Sequence, residues 1–450
     1  MKVIKFGGSS LANGTQLKKV LGIVQDDPER RIVVVSAPGK RFSEDTKVTD
    51  QLIQLATLVK NKASYKEVYE DIFSRYADIA AELELDGKIL EEIESHFDKL
   101  LNTRFRTPEL LEDAFKASGE DNNARLIAAY FRQSGIPARY LNPREAGIFV
   151  TSQPGNARIL PESYNFLRHL HDTEEVLVIP GFFGYNENDE IITFSRGGSD
   201  ITGAIVANGV QATLYENFTD VDAIYVANPN HVDEPQKIHH LTYTEMRELS
   251  YAGFSVFHDE ALLPAFHAGI PVHVKNTNNP NGKGTKITRT RPKTANIISG
   301  IASSSGFVSI HISKYLLNRE IGFIRKSAQI FEDLGLNLEH MPSGIDEITF
   351  ILRKDQLTPG KQAALLYRLK NELRADDVHV EGDVCLVMIV GEGMVASVGT
   401  TAQATQALAD AGVNLVMINQ GASEISMMFG IVEKDEEKAV RAIYDSFYPK

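Results

Sequence analysis

Two glycine-bearing stretches hold the side chains best suited to chemistry. In Lys5-Phe6-Gly7-Gly8-Ser9-Ser10 the glycines let backbone N–H groups approach a phosphate, and Lys5 can reach the same anion. A plain glycine-rich turn would show the same local pattern. In Ser195-Arg196-Gly197-Gly198-Ser199-Asp200, Arg196 offers a planar fork that suits a carboxylate. Ser199 and Asp200 stand where a helix begins and could act as N-caps, although capping alone requires neither the arginine nor two glycines. Two such loops on one parallel sheet would converge on its C-terminal edge, where α/β folds bind ligands.

Other chemistries are excluded by absent motifs. GxxxxGK[ST], GxGxxG and the His-Arg-Asp and Asp-Phe-Gly signatures do not occur. This removes P-loop enzymes, nicotinamide-linked dehydrogenases and protein kinases. His239-His240 and His258-Asp259-Glu260 lack a third partner at metal-ligand spacing, so no metal site is assigned.

These loops need a scaffold, and the hydrophobic pattern supplies one. Val3–Phe6 and Arg31–Ser36 predict buried strands, the second continuous and β-branched as expected when both faces are covered. Leu17–Val24 and Val48–Val59 carry helical spacing, and 64–134 is mostly helical, with a helix over Asp121–Arg132. Strands follow at 176–179, 191–194 and 223–226, with a helix from Gly198 to about Asn208. Pro271–Val274 is expected to be the last strand of this half. The alternation predicts an α/β domain with a largely parallel sheet. Turn chemistry at 276–282 and a basic stretch at 289–293 place the main boundary between 285 and 305.

The tail repeats itself. Gly335-Leu336-Asn337-Leu338 recurs as Gly412-Val413-Asn414-Leu415, and Gly344 with Glu347-Ile348 as Gly421 with Glu424-Ile425, both offset by 77 residues. Each copy reads strand, helix, strand, strand, helix, with helices expected at 320–334 and 399–411. This is the ferredoxin-like βαββαβ pattern, twice.

The 450 residues are 43% hydrophobic and 24% charged, ordinary for a globular chain, and the net charge of −13 argues against nucleic acid as a partner. The one cysteine, Cys385, sits in an apolar strand-like run and rules out a disulfide framework. No secretory signal and no stretch near the roughly 20 apolar residues of a membrane span is present, so a cytoplasmic protein is expected.

Together the two loops and the doubled tail resemble the aspartokinases over essentially the whole chain, most closely the monofunctional, amino-acid-regulated forms of Gram-positive bacteria. The resemblance implies a carbamate-kinase-like amino-acid-kinase domain at 1–295. Two ferredoxin-like ACT domains follow at 307–380 and 381–450, with a strand near 298–305 joining the second. It implies ATP- and Mg²⁺-dependent phosphorylation of the L-aspartate side chain, the first step towards lysine, threonine and methionine. Lys5 and Asp200 would be catalytic. Lys5, Gly7, Gly8, Ser9, Thr219, Asp220 and Tyr225 would bind ATP. Ser36, Thr49, Glu120, Arg196 and Ser199 would bind aspartate, with Glu120 on the α-ammonium and Arg196 on the α-carboxylate. Read alone, Glu120 also suits a helix-start carboxylate. Because the attacking carboxylate is already ionised, no strong general base is required; positioning and charge stabilisation carry the reaction.

Many relatives have Asp-Pro-Arg at Asn228-Pro229-Asn230 and lysine at Ser255. Lys275 and Lys283 are the candidate replacements for those two cations. A feedback effector, lysine with or without threonine, would bind near Asn318, Glu320, Gly322, Phe323, Glu339 and Ser343, with Asn414, Asn419 and Gln420 as equivalents in the second module. ACT pairing implies a homodimer. The rival readings are a catalytically weak amino-acid sensor and another amino-acid carboxylate kinase of the same fold. From its length and the absent dinucleotide fingerprint, no fusion to homoserine dehydrogenase is expected.

Overall fold

The computed structural model describes residues 1–449 apart from 196, 255, 256, 258, 259 and 293–295. It contains two compact units: Met1–Ile224, Lys237–Arg247 and Ser255–Pro292 form one, and Tyr225–Gln236, Glu248–Phe254 and Lys293–Lys450 the other. The chain therefore enters the second unit twice before the boundary expected at 285–305. Those early segments are held there by hydrogen bonds, Ile301 N–H to Val226 O at 2.7 Å and Gln236 N–H to the Tyr444 hydroxyl at 3.0 Å.

In the first unit, the strands of the main sheet are β1 (Lys2–Phe6), β2 (Arg30–Val35), β3 (Ala138–Tyr140), β4 (Val176–Pro180), β5 (Leu214–Thr219), β6 (His240–Thr242), β7 (Val272–Asn276) and β8 (Thr285–Thr288). Their order is β6-β8-β7-β5-β1-β2-β4-β3, and every pairing is parallel except β7 with β8. The strand at 271–274 is thus not the last of this half, because β8 returns antiparallel beside it. The strands expected at 191–194 and 223–226 form small pairings outside the main sheet.

Helices α1 (Gly14–Gln25), α2 (Val48–Lys60), α3 (Lys66–Glu82), α4 (Lys88–Asn102) and α5 (Pro108–Gln133) share one core with Phe6, Val33, Val35 and Phe218. On a strand, side chains alternate between faces, so Lys5 and Asn217 point the other way. There they meet α6 (Gly198–Gly209).

The second unit holds β9 (Gly300–Ser313), β10 (Glu347–Arg353), β11 (Asp377–Val390), β12 (Met417–Gln420) and β13 (Ser426–Val432), ordered β10-β9-β11-β13-β12 and antiparallel throughout. Its helices are α7 (Phe323–Asp333), α8 (Pro359–Glu372), α9 (Thr400–Asp410) and α10 (Glu436–Phe447). The 77-residue repeat is visible in the backbone. Gly335 and Gly412 end α7 and α9 at φ +61° and +65°, a left-handed conformation in which glycine carries no Cβ penalty. Gly300–Ser304 pairs with Leu386–Val390, so the start of β9 edges the second copy. The expected module break at 380/381 falls inside β11. The long strands instead change direction locally at Gly306 (φ +85°) and Asp383 (φ +58°), where their register shifts.

Candidate active site

Lys5 occupies the penultimate position of β1. Its Nζ lies 2.6 Å from Asp200 Oδ1, with both side chains largely buried. Asn217 Nδ2 donates to the same oxygen at 2.6 Å, and the Tyr215 hydroxyl donates to the Asp200 carbonyl at 3.2 Å. Asp200 sits in the first turn of α6, where a negative charge is favoured by the helix dipole. The arrangement holds one ammonium group at the C-terminal edge of the sheet with its charge aimed by a fixed carboxylate. Such a group can stabilise charge that develops on a transferred anion.

The glycine loop is braced rather than loose. Gly7 N–H, expected at the phosphates, donates to Phe218 O at 3.0 Å. Gly8 and Ser9 open a 3₁₀ turn, and its geometry leaves their N–H groups without partners inside the turn. Ser10 Oγ is 2.7 Å from Thr277 Oγ1. Gly39 N–H donates to Gly8 O at 2.9 Å, and a Cβ on Gly39 would stand 2.5 Å from the Gly8 carbonyl carbon. No side chain fits between the two loops.

Buried Arg75 fastens that contact from below. It donates to Asp45 Oδ2 at 2.6 Å and to Gly39 O. The Arg41 hydrogen bond and the Arg75 charge together hold the Asp45 carboxyl far below the usual carboxylate range. Arg75→Met should lower unfolding stability by about 1–2 kcal/mol, since Asp45 keeps its pair with Arg41 but the Gly39 carbonyl loses its buried donor. It should also cut kcat/KM about tenfold by releasing the loop. Denaturant titration and steady-state kinetics measure the two effects.

Glu120 lies in the middle of α5, not at a helix start, because Thr107 caps the helix from thirteen residues upstream and Pro108 begins it. It belongs to an unusual run, Ser118-Gly119-Glu120-Asp121-Asn122-Asn123, polar yet wholly buried. Its carboxylate accepts the Ala37 N–H, and burial pushes its pKa up to about 8. Glu120 Oε2 and Asn123 Oδ1 are both buried without a partner. At i and i+3 they share a helix face, where they form an acceptor pair suited to an ammonium group. Asn123 was not singled out from the sequence. Its signal was the spacing from Glu120 within that polar run. Its Nδ2 donates to Ser36 O at 2.7 Å, which ties β2 to the same place.

Ser199 is buried in the first turn of α6 against Gly181, where an added Cβ would lie 2.8 Å away. Thr49 is half-buried in the first turn of α2. Thr219 ends β5 and donates to exposed Asp220 at 3.1 Å. Tyr225 belongs to the second unit. Arg196 and Ser255 lie outside the described residues. Lys275 is not brought to Lys5. It pairs in register with Phe218, whose side chain faces α1–α5, and its Nζ lies 5.5 Å from that ring centroid. Lys283 is exposed.

The expected effector residues are spread over the second unit. Asn318 is exposed, and Glu320 is ion-paired with Lys314 and Lys326. Gly322 precedes α7 at φ +81°. Phe323 is 1% exposed in the core, which removes its side chain from ligand contact. Glu339 accepts from the Tyr251 hydroxyl at 2.5 Å. Ser343 lines a cleft of about 250 Å³, and Gln420 a separate open depression of about 640 Å³ at the start of α9. Asn414 and Asn419 are exposed.

Comparison with known proteins adds to this geometry. Residues 1–276 match the model of the amino acid kinase family, and 387–447 match an ACT domain. The chain is 57% identical to aspartokinase 3 of Bacillus subtilis over 448 residues, covering 100% of this chain and 99% of that one. The crystal structure of Clostridium acetobutylicum aspartate kinase, described as an allosteric enzyme, superposes with a TM-score of 0.87 at 37% identity, covering 99% and 100%. Escherichia coli aspartokinase III, solved with aspartate and ADP, shares the fold at a TM-score of 0.79 and 22% identity, each chain fully covered.

Proposed function

The chain belongs to the amino acid kinase family and within it to the aspartokinases, enzymes that phosphorylate aspartate under feedback control, and on that premise we propose how its residues divide the work. The single observation that carries the reading is the buried Glu120 carboxylate, whose Oε2 has no partner and whose pKa burial has raised to about 8. A substrate ammonium is the group that would satisfy it. Glu120 and Asn123 take the α-ammonium of aspartate, and Arg196, Ser199 and Thr49 take its carboxylate and backbone side. The side-chain carboxylate is then the free nucleophile.

The phosphoryl donor is MgATP. Its phosphates lie along Gly8, Ser9 and Lys5, with Thr219 and Asp220 towards the nucleoside. One aspartate carboxylate oxygen bonds to the γ-phosphorus while the bond to the β,γ-bridging oxygen breaks, giving 4-phospho-L-aspartate and ADP. No proton need leave the nucleophile. Lys5, aimed by Asp200 and Asn217, stabilises charge on the transferring group. Mg²⁺ travels with the nucleotide and neutralises its phosphates.

The tail then acts as two ACT modules that pair in a homodimer and bind lysine, alone or with threonine. No described helix is long and apolar enough to cross a membrane, in keeping with a cytoplasmic enzyme. Trapping acyl phosphate as hydroxamate tests the whole reading. Product should form with L-aspartate and MgATP, and lysine should suppress it. Product with glutamate but none with aspartate would overturn the substrate assignment, and indifference to lysine and threonine would overturn the effector. Reciprocity adds a check: lysine should bind more weakly or more tightly once aspartate and nucleotide are present.

A further inference from the structure

We propose that the regulatory sheet carries a site for a divalent transition-metal ion, with His311 Nε2, His379 Nε2 and a Glu381 carboxylate oxygen as ligands. Strand register builds it. His311 on β9 stands directly opposite His379 on β11, and Ser309 stands opposite Glu381. Alternate residues of a strand share a face, so Asp377, His379 and Glu381 line up beside His311.

The distances suit one shared ion. Glu381 Oε2 is 3.4 Å from His311 Nε2, and Glu381 Oε1 is 3.9 Å from His379 Nε2. The three donor atoms lie within 4.8 Å of one another. Ligands held at about 2.0–2.2 Å in a tetrahedron stand roughly 3.3–3.6 Å apart, so small side-chain rotations close the site. The far ring nitrogens are already engaged. Thr349 Oγ1 lies 3.1 Å from His311 Nδ1, and Asp377 Oδ2 lies 3.0 Å from His379 Nδ1. Partners of this kind fix the tautomer and the aim of metal-binding imidazoles. Ser309 Oγ, 3.0 Å from His311 Nε2, is the one hydroxyl that an ion would displace.

The plain alternative is a pair of solvated histidines balanced by Asp377 and Glu381. Here the two rings stack at 4.9 Å and 17°, which brings both Nε2 atoms to the same carboxylate. A dication held between the rings uses both nitrogens and that carboxylate at once. Two nitrogens and one oxygen select zinc, nickel or cobalt over magnesium. All three side chains are partly exposed, which leaves coordination positions for water. Bound metal would pin β9 to the 377–381 stretch of β11, which has no other strand partner in the sheet.

Calorimetric titration of the chelator-treated full-length chain with Zn²⁺ tests this. One ion per chain should bind, and Co²⁺ should give visible absorption bands of a low-symmetry nitrogen–oxygen site. His311→Gln and His379→Gln should each lower Zn²⁺ affinity at least about tenfold, and Asp377→Asn about tenfold through the orientation of His379. His169→Gln, on the exposed surface of the first unit, should change nothing. No stoichiometric Zn²⁺ binding, or binding that survives both His311→Gln and His379→Gln, would sink the proposal.

Discussion

Lys5→Met is expected to lower kcat by about 10³-fold or more while leaving the KM for aspartate nearly unchanged. Removing a single preorganised charge from a developing anion costs about 10²–10³ in comparable sites, and here the charge is also fixed in place. The 2.6 Å contacts that Lys5 and Asn217 each make with Asp200 Oδ1 leave it little room to wander. Single-turnover measurement with saturating MgATP reads the chemical step directly. Lys5→Arg should not rescue it. The Lys5 side chain is largely buried with its Nζ 2.6 Å from Asp200 Oδ1, and a guanidinium fork is wider than an ammonium. Near-normal kcat in Lys5→Met would move the charge stabilisation to another residue.

The second large effect concerns Glu120. Glu120→Gln is expected to raise the KM for aspartate by about 10²–10³-fold with a smaller change in kcat. Truncating one partner of a buried charge pair costs about 2–5 kcal/mol, and this contact serves ground and transition states alike. The pH dependence follows from the same group. Burial raises its pKa from an ordinary 4.5 to about 8. The ammonium of aspartate binds the ionised form, so the KM for aspartate should fall as pH rises towards about 8 and level off beyond it. Glu120→Gln should flatten that profile. Stability runs the opposite way. Between pH 4.5 and about 8 the folded chain keeps the proton that the unfolded chain has lost, so the ligand-free protein loses stability as pH rises through that window. Glu120→Gln should therefore melt at a higher temperature than the parent above pH 8, and aspartate should narrow the gap.

Much of this was legible because the signals were local. The β-branched run of β2 and the alternating elements gave the parallel sheet, and the spacing of Gly335 and Gly412 gave the repeat. What escaped had a long-range cause. β5 lies at the centre of the sheet, beside β1, yet its Glu216 and Asn217 do not look like a buried strand. Each finds its partner from afar, Glu216 in a two-pronged ion pair with Arg30 and Asn217 by donating to Asp200. The membership of 225–236 and 248–254 in the second unit depends on contacts with residues near 300, 339 and 444, which no local pattern reports. Lys275 looked like a spare cation by charge alone. Strand register decides its face, and register was not readable while β5 was unrecognised.

The site itself divides in the same way. Lys5, Asp200 and Glu120 were visible as residues, but their relation was not. Asp200 stands 195 residues from Lys5, and only the parallel pairing of β1 with β5 and the start of α6 brings them to 2.6 Å. Glu120 was readable as an acid near a glycine. Its meaning came from burial at the centre of a 26-residue helix with one oxygen left over.

The central claim, that Glu120 is a buried acid waiting for an ammonium, has one direct measurement. Aspartate binding is titrated calorimetrically at pH 7 in buffers of different ionisation enthalpy, which counts the protons released on binding. A carboxyl with a pKa near 8 that ionises to meet its ligand should release about one proton per aspartate in the parent chain and none in Glu120→Gln. Equal release from both, or none from the parent, would contradict it.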